Sequence, residues 1–377
     1  LINISDLPFQ RPTWAIIDLD ILRANYLEIC STVAPAAVLA VIKSDAYGHG
    51  ALVMARELEA LGVERFGTAT VQEAIELRKG GIQTPIIILS GAVIPQIPLL
   101  LQYDLIPAVY NFEFLMALEQ FTETQKREVV IHVKVDTGMG RLGFSPEDAA
   151  VALNKQYSYI RVEGVYTHFA NADVARDDYT RRQLERFVKW VSDESVSVRY
   201  FHTANSAAVL NHREAHRNLV RPGLLLYGIS PDPDREVSQR PVLSIRSQII
   251  SLRKIAKGET IGYGRTFKAL RESMIATVPF GYADGLRRAL SNRLEVDVRG
   301  TMCRIAGSIS MDLCMLDVTD VPGVALEDQV TFIGPKTTCW DWAKLLKTIP
   351  YEITCLVGPR VPRVYYKGGQ IYDVYYP

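Results

Sequence analysis

Lys43 ends the apolar run AVLAVIK, so its amine rises from a desolvated base. Partial burial favours the neutral amine, the form that attacks an aldehyde to give a Schiff base. Three further groups close β-type runs downstream: His168, the pair Asn205-Ser206, and Arg221 followed by Pro222-Gly223. Ser206 sets a hydroxyl at a helix start, where unpaired N–H groups and the helix dipole favour an anion. Gly223 lets the backbone approach a ligand closely, and Tyr47 adds a phenol. A ring-bearing aldehyde with a phosphate tail is the natural occupant of such a set. Arg141 lies in DTGMGRLG (136–143), a glycine-rich turn able to hold a guanidinium over the same site; as a phosphate loop that pattern alone is weak.

Taken singly, each group has an ordinary reading. A strand-end lysine is usually a solvated charge, a helix-start serine a cap, a strand histidine a satisfied core residue. Their joint placement is what points to a site.

The elements that would position them alternate between residues 14 and 225. Eight β-type runs cover 38–43, 66–70, 85–90, 105–109, 129–136, 162–168, 199–206 and 218–221, with amphipathic helical stretches between them such as 51–61, 71–79, 112–121 and 179–191. Ser145-Pro146 reads as an N-cap followed by a first-turn proline. Eight βα units predict a (β/α)8 barrel, an α/β fold, with a doubly wound open sheet as the rival. In a barrel the active site lies at the C-terminal strand ends, where these candidates fall. After Pro241 the rhythm changes to closely spaced strands at 247–252, 273–279, 294–298 and 329–333, with one helix at 340–348. The expected domains are therefore a barrel over 1–240 and a mainly β domain over 241–377, with about the first twelve residues packing on the latter.

Composition bounds the function. The chain has 377 residues, 48% of them hydrophobic, enough for a large core and against disorder. Lys+Arg and Asp+Glu balance at 42 each, which removes the electrostatic reason to expect nucleic acid or an anionic membrane as partner. The five cysteines show no CxxC spacing, so no disulfide framework or zinc site is expected and a cytoplasmic setting fits. No apolar run reaches the ~20 residues of a membrane helix, and LINISDLPFQRPTW lacks the regions of a signal peptide.

Eight motifs in order carry a family resemblance: AVIKSDAYGHG (40–50), KVDTGMGRLGF (134–144), GVYTHFANAD (164–173), HTANSAA (202–208), VRPGLLLYGISP (220–231), GYGRTF (262–267), GYADG (281–285) and SMDLCMLDVTD (310–320). With them the chain resembles the alanine racemases, fold-type III pyridoxal-phosphate enzymes, along nearly its whole length. The resemblance implies a barrel followed by a β domain, a homodimer with shared active sites, and alanine as substrate. It implies that Lys43 carries the cofactor and serves one enantiomer, while Tyr263 of the neighbouring subunit serves the other. Tyr47, Ser206, Gly223, Leu224 and Tyr351 would cradle the phosphate, with Asn205 beside them. Arg221 would face the pyridine nitrogen, and His168 would bridge Arg221 and Tyr263. Arg141 and the Met311 backbone would meet the substrate carboxylate, and Tyr282 would line the entrance. Lys134 matches a lysine that some relatives carbamylate.

The chemistry suits those residue types. A lysine and a phenol share unperturbed pKa values near ~10, so either can give or take a proton on opposite faces of Cα. A guanidinium only donates, so the ring nitrogen beside Arg221 is expected to stay unprotonated. The sequence departs from the family at Ser308, Ser310 and Leu313, where relatives often carry Arg, Cys and Gln. Tyr351 is kept where serine-preferring relatives carry a smaller polar residue, which favours alanine over serine or a broader range. A non-catalytic pyridoxal-phosphate barrel would need neither the β domain nor Tyr263, and a fold-related decarboxylase would use another phosphate loop and a partner-supplied cysteine. D-Alanine supply for peptidoglycan is the expected role.

Overall fold

The structure is a computed structural model that describes residues 11–174, 177–232 and 234–376. Backbone contacts gather these into two units, one of residues 23–46 and 51–239, the other of 11–22, 47–50 and 240–376.

The first unit is built on an eight-stranded parallel sheet: β2 (Ala37–Val41), β3 (Arg65–Thr68), β4 (Ile86–Ile88), β5 (Leu105–Val109), β6 (Val129–Lys134), β7 (Ile160–Tyr166), β8 (Tyr200–His202) and β9 (Leu219–Val220). From β2 to β8 each strand pairs with the next, and β9 returns to β2 through Ala37↔Leu219 and Val38↔Val220. Between β8 and β9 the ring is completed by a bridge at Asn205↔Arg221 and by the Arg221 N–H, which donates to Ala204 O at 2.9 Å. This is a nearly closed (β/α)8 barrel, not an open sheet. Its strands III (86–88) and AVLAV (37–41) are apolar at almost every position because both faces are covered.

The helices start where the chain supplies caps. Thr70 and Glu73 form a reciprocal capping box on Val71–Lys79, Asn111 caps Phe112–Gln125, and Ser145 caps Pro146–Asn154. Each such cap typically contributes about 1 kcal/mol. The helix Asp178–Asp193 buries Leu184, Phe187 and Trp190 on one stripe and exposes its charges.

The second unit is mainly β. Its largest sheet has seven strands, in the order β16 (Thr301–Arg304), β15 (Glu295–Val298), β18 (Gln329–Ile333), β10 (Leu243–Gln248), β1 (Thr13–Asp18), β19 (Arg363–Lys367), β20 (Gln370–Tyr375). A three-stranded sheet joins β11 (Ser251–Ile255), β14 (Ser273–Val278) and β17 (Cys314–Asp317), and β12 (Thr260–Ile261) pairs with β13 (Phe267–Lys268). Two short helices, Cys339–Leu346 and Pro350–Cys355, complete it.

Two sequence expectations change. Residues 13–18 belong to the second unit's sheet, between β10 and β19, although the sequence division grouped all but about the first twelve residues with the barrel. Residues 1–10 of that terminal segment lie outside the described residues. The single strand expected over 247–252 is two strands in different sheets. The chain passes between them at Ile249, whose N–H donates to Asp328 O, and Ile250, whose N–H donates to Thr277 O. The stretch SQIISL carries no Gly, Pro or other turn residue at the junction, so nothing in it signals such a switch.

Candidate active site

The strand ends of the barrel gather the expected residues slightly beyond the strands themselves. β2 stops at Val41, and Lys43, half-buried, opens a tight turn. Ser44, Asp45, Ala46 and Tyr47 all have φ between +52° and +55°, a left-handed turn of four non-glycine residues. Such a conformation costs roughly 1–2 kcal/mol per residue, so it persists only where surrounding bonds fix it. They do: Glu73 of the capping box accepts from the Ser44 N–H at 2.7 Å, and Asp45 accepts from the Ala51 N–H at 2.7 Å.

Downstream, residues 47–50 belong to the second unit. Gly48 has φ +82° and lies so close to Thr354 that a Cβ would sit 2.2 Å from its carbonyl oxygen. Arg363 donates from Nε to Gly48 O at 3.0 Å, Tyr365 donates to His49 O at 2.9 Å, and the ring of Tyr47 lies 5.9 Å from that of Tyr351. Of the expected phosphate cradle, Tyr47 and Tyr351 are thus brought together here.

Ser206, Gly223 and Leu224 come together in the barrel. The cap of the helix Ser206–Asn211 is Asn205, whose side chain accepts from the Ala208 N–H at 3.0 Å, so Ser206 is not the cap. Buried Ser206 Oγ instead accepts from the Gly223 N–H at 2.9 Å and the Leu225 N–H at 3.3 Å. Its own O–H has no acceptor among the described residues and is available to an anion.

Arg221 is almost fully buried. Its NH1 donates to His202 O at 2.6 Å and to His202 Nδ1 at 3.1 Å. Its NH2 faces Thr167 O at 2.8 Å, Thr203 O at 3.0 Å and His168 Nδ1 at 3.3 Å. The guanidinium lies over the Tyr166 ring, 5.2 Å from its centroid, and Tyr166 donates its hydroxyl to Leu89 O. Among the described residues nothing accepts from Arg221 Nε–H, so one donor of a buried, otherwise saturated cation remains unspent.

The field at this end of the barrel is strongly positive. Burial pushes the Lys134 amine down to about 8, helped by Arg141, Arg221 and Lys43 and opposed by Asp136. His168 lies well below the usual histidine value because of burial and the same cations, so its ring is neutral. Burial lowers even Arg221 to about 10, which leaves it charged at neutral pH. Arg141 itself is exposed on its turn, where Asp136 accepts from the N–H groups of Gly138, Met139 and Gly140 at 2.8 Å each. Those N–H groups are spent internally, so the turn is no phosphate loop.

Tyr263, Tyr282 and Met311 form a separate cluster in the second unit and stay exposed, at 72%, 42% and 52%. Ser308 Oγ donates to Tyr263 O at 2.9 Å, the Tyr282 N–H to Ser310 O at 3.0 Å, and the Ala283 N–H to Met311 O at 3.0 Å. Ser308, one of the departures from the family pattern, is therefore the residue that ties the Tyr263 turn. Fully buried Asp284 holds the cluster from behind by ion pairs to Arg11 at 2.6 Å and Arg360 at 3.0 Å.

Two family profiles match the chain, the alanine racemase N-terminal domain over residues 17–231 and the alanine racemase C-terminal domain over residues 242–365. The chain belongs to the alanine racemase family. An alanine racemase of Geobacter sulfurreducens is 41% identical, with 94% of this chain and 97% of that protein aligned. Alanine racemase 1 of Clostridium acetobutylicum is 36% identical over 97% of this chain and 98% of its own. The solved alanine racemase of Clostridium difficile 630 superposes with a TM-score of 0.93 at 34% identity, covering 97% of this chain and 99% of that one. That of Bartonella henselae, described with covalently bound pyridoxal phosphate, gives 0.88 at 28% identity, over 95% and 100%.

The motifs that liken this chain to alanine racemases contain residues the sequence reading passed over. Tyr166 and His202 sit within them and pack against Arg221; His132 and Glu163 lie just outside and continue the contacts inward. The signal available was strand alternation. In β6, His132 and Lys134 share one face, and Lys134 was already a candidate. Asp284, in GYADG, could be found only once its partners Arg11 and Arg360 were known.

Proposed function

We propose that the chain is a pyridoxal-phosphate-dependent alanine racemase that interconverts L- and D-alanine as a homodimer with shared active sites. The observation that carries the reading is the pairing of an unspent Arg221 Nε–H with an unspent Ser206 hydroxyl, both on one barrel end. A cation whose remaining donor points at nothing in its own chain suits an aromatic nitrogen acceptor, and a hydroxyl fixed by two N–H groups suits a phosphate oxygen. Pyridoxal phosphate offers both, and would supply the electron sink that lets an amino-acid Cα proton leave.

The chain's residues then divide the work. Lys43 holds the cofactor aldehyde and moves the proton on one face of Cα. Tyr263 of the second subunit moves it on the other, which accounts for a phenol left so exposed in a single chain. Ser206, Gly223 and Leu224, with Asn205 capping their helix, bind the phosphate, and the family resemblance assigns Tyr47 and Tyr351 to the same task. Arg221 would donate to the ring nitrogen and, being unable to accept, would favour its unprotonated form. His168, neutral, accepts from Arg221 and so carries its own proton on Nε2, from which it can donate to the Tyr263 oxygen and stabilise a phenolate. Arg141 and the Met311 backbone receive the substrate carboxylate, and Tyr282 lines the entrance.

Lys134 is suited to carbamylation. An amine at about 8 is neutral in about a tenth of molecules at pH 7, far more than an ordinary lysine near ~10.4, and that fraction attacks carbon dioxide; the resulting anion would relieve the repulsion among Arg141, Arg221 and Lys43. With labelled bicarbonate, a carbamate carbon resonance should appear in the wild type and be absent from Lys134→Met; its absence from both would exclude the modification.

Incubation with L-alanine in deuterium oxide tests the reading. Loss of optical rotation with deuterium at Cα and no carbon dioxide supports it; decarboxylation or no reaction overturns it. A side-by-side serine assay tests the preference that Tyr351 argues for. Cytoplasmic D-alanine supply for peptidoglycan is the role this activity would serve.

A further inference from the structure

Behind Arg221 a line of buried polar groups runs into the barrel core. Arg221 NH1 meets His202 Nδ1 at 3.1 Å, His202 Nε2 meets His132 Nδ1 at 2.8 Å, and His132 Nε2 meets Glu163 Oε2 at 3.3 Å. Glu163 Oε1 is held by Arg65 NH2 at 2.9 Å, with Arg161 at 3.6 Å. All but Arg161 are buried.

The two ends of this line cannot change role. A guanidinium only donates, so His202 Nδ1 must accept and its proton must sit on Nε2. That proton is donated to His132 Nδ1, which leaves the His132 proton on Nε2, aimed at Glu163. An ionised carboxylate only accepts, so the chain closes without a clash. Reversing either ring would set two donors or two acceptors face to face in a dry core. Neutrality is consistent with the surroundings. Burial, with Arg221, His132 and Arg65 nearby, lowers His202; burial also lowers His132, with Glu163 opposing and Arg65 and Arg221 assisting. Burial would raise Glu163, but the His132 hydrogen bond and the cations Arg65 and Arg161 outweigh it.

The packing is built for these rings. His202 stacks on Tyr166 with centroids 4.6 Å apart, and His132 meets His202 edge-on at 4.9 Å. A Cβ at Gly164 of β7 would lie 2.5 Å from His132 Nδ1, so only glycine leaves the imidazole its place.

We propose that Glu163 and His132 are positioning residues, the distant anchor of a one-way hydrogen-bond relay that locks both histidine tautomers and fixes the direction of the Arg221 guanidinium. That Arg221 presents its Nε–H to a pyridine nitrogen rests on the functional reading above; the tautomers do not. Without an acceptor at 163, the His132 proton loses its partner. The ring then gains by reversing, His202 follows, and a donor is turned against Arg221.

Two measurements on the full-length protein separate these parts. With histidine labelled with nitrogen-15, His132 and His202 should both be neutral Nε2–H tautomers at neutral pH. Either ring found charged or protonated on Nδ1 overturns the relay, whatever the protein binds. The second compares Glu163→Gln, whose amide oxygen can still accept from His132, with His132→Phe, which removes the acceptor of the His202 proton, in protein loaded with pyridoxal phosphate. Glu163→Gln should keep the tautomers, the cofactor absorption band and kcat within about twofold. His132→Phe should shift the band and lower kcat by about tenfold or more with a smaller change in KM. A His132→Phe protein that folds and matches the wild-type band and kcat overturns the positioning role; should it not fold, the histidine spectra of wild type and Glu163→Gln still decide the relay. Wild-type protein with the expected tautomers that takes up no pyridoxal phosphate sinks the functional reading and spares the relay.

Discussion

The two candidate halves of the site are finished to different degrees by their own chain. At the barrel end, Arg221 is buried, its NH1 and NH2 are saturated, and the histidines behind it are neutral and hydrogen-bonded. In the second unit, Tyr263, Tyr282 and Met311 are held just as firmly through their backbones, by Ser308, Ser310 and the buried Asp284, yet their side chains are left to solvent. Firm backbone support under exposed apolar side chains is what a surface meant to be covered looks like, since a mobile loop would need no buried ion pairs beneath it. On the function proposed above, the barrel half binds and the other half is presented.

The largest effect should follow removal of the amine at the barrel end. Lys43→Ala should abolish the absorbance of covalently held cofactor and lower racemisation more than about 10⁴-fold, because both the covalent link and one proton carrier go. Tyr263→Phe should keep that absorbance and cost on the order of 10²–10⁴-fold. Mixing the two inactive variants breaks or sharpens the contrast directly. If each site takes Lys43 from one chain and Tyr263 from the other, a mixed dimer regains one working site, and activity returns on mixing. No recovery after subunit exchange would mean that Tyr263 serves its own chain's site or none.

Much of the barrel half was legible because barrels put chemistry at strand ends, and Lys43, Ser206 and Arg221 each close a β-type run in the sequence. What escaped was whatever depends on partners distant in the chain. His202 and His132 stand 70 positions apart and His132 and Glu163 31, so no local pattern marks them as one relay. Arg11 and Asp284 are separated by 273. The left-handed turn after Lys43 was hidden for another reason. Ser44 to Tyr47 are ordinary residues in a conformation normally given to glycine or asparagine, and only the contacts of Glu73 and Asp45 make it tenable. The family motifs supplied the roles of Tyr263 and Met311, which periodicity could not, because exposed residues leave no pattern of burial.

The buried histidines give the barrel half a pH signature. In the unfolded chain His132, His168 and His202 take up protons near pH ~6.5, whereas all three folded rings resist until lower pH. The unfolded state therefore binds more protons below about pH 6.5, and stability falls as the pH drops. With all three rings titrating, the slope approaches about 4 kcal/mol per pH unit. Urea midpoints measured at about pH 7 and about pH 5.5 should fall accordingly, and His132→Phe should remove about a third of the slope. A midpoint unchanged or raised at the lower pH would mean that the folded rings are already charged.

The smallest effect separates support for binding from support for folding alone. Asn205 and Thr338 each cap a helix, one in either half: Asn205 accepts from the Ala208 N–H at 3.0 Å, and Thr338 forms a capping box with Asp341. Replacing either by alanine removes a similar hydrogen bond and should cost about 1 kcal/mol of stability. Their consequences for cofactor retention should differ. Asn205 directly precedes Ser206, whose hydroxyl is set by the Gly223 and Leu225 N–H groups, so loosening that helix start disturbs the phosphate donor. Thr338 opens Cys339–Leu346, which carries none of the candidate residues. Asn205→Ala should therefore weaken pyridoxal phosphate binding by a few-fold, while Thr338→Ala, equally destabilised, should hold it as the wild type does. Equal losses of cofactor in the two variants would mean that retention merely follows global stability, and the barrel end would then have no claim to be preformed for its ligand.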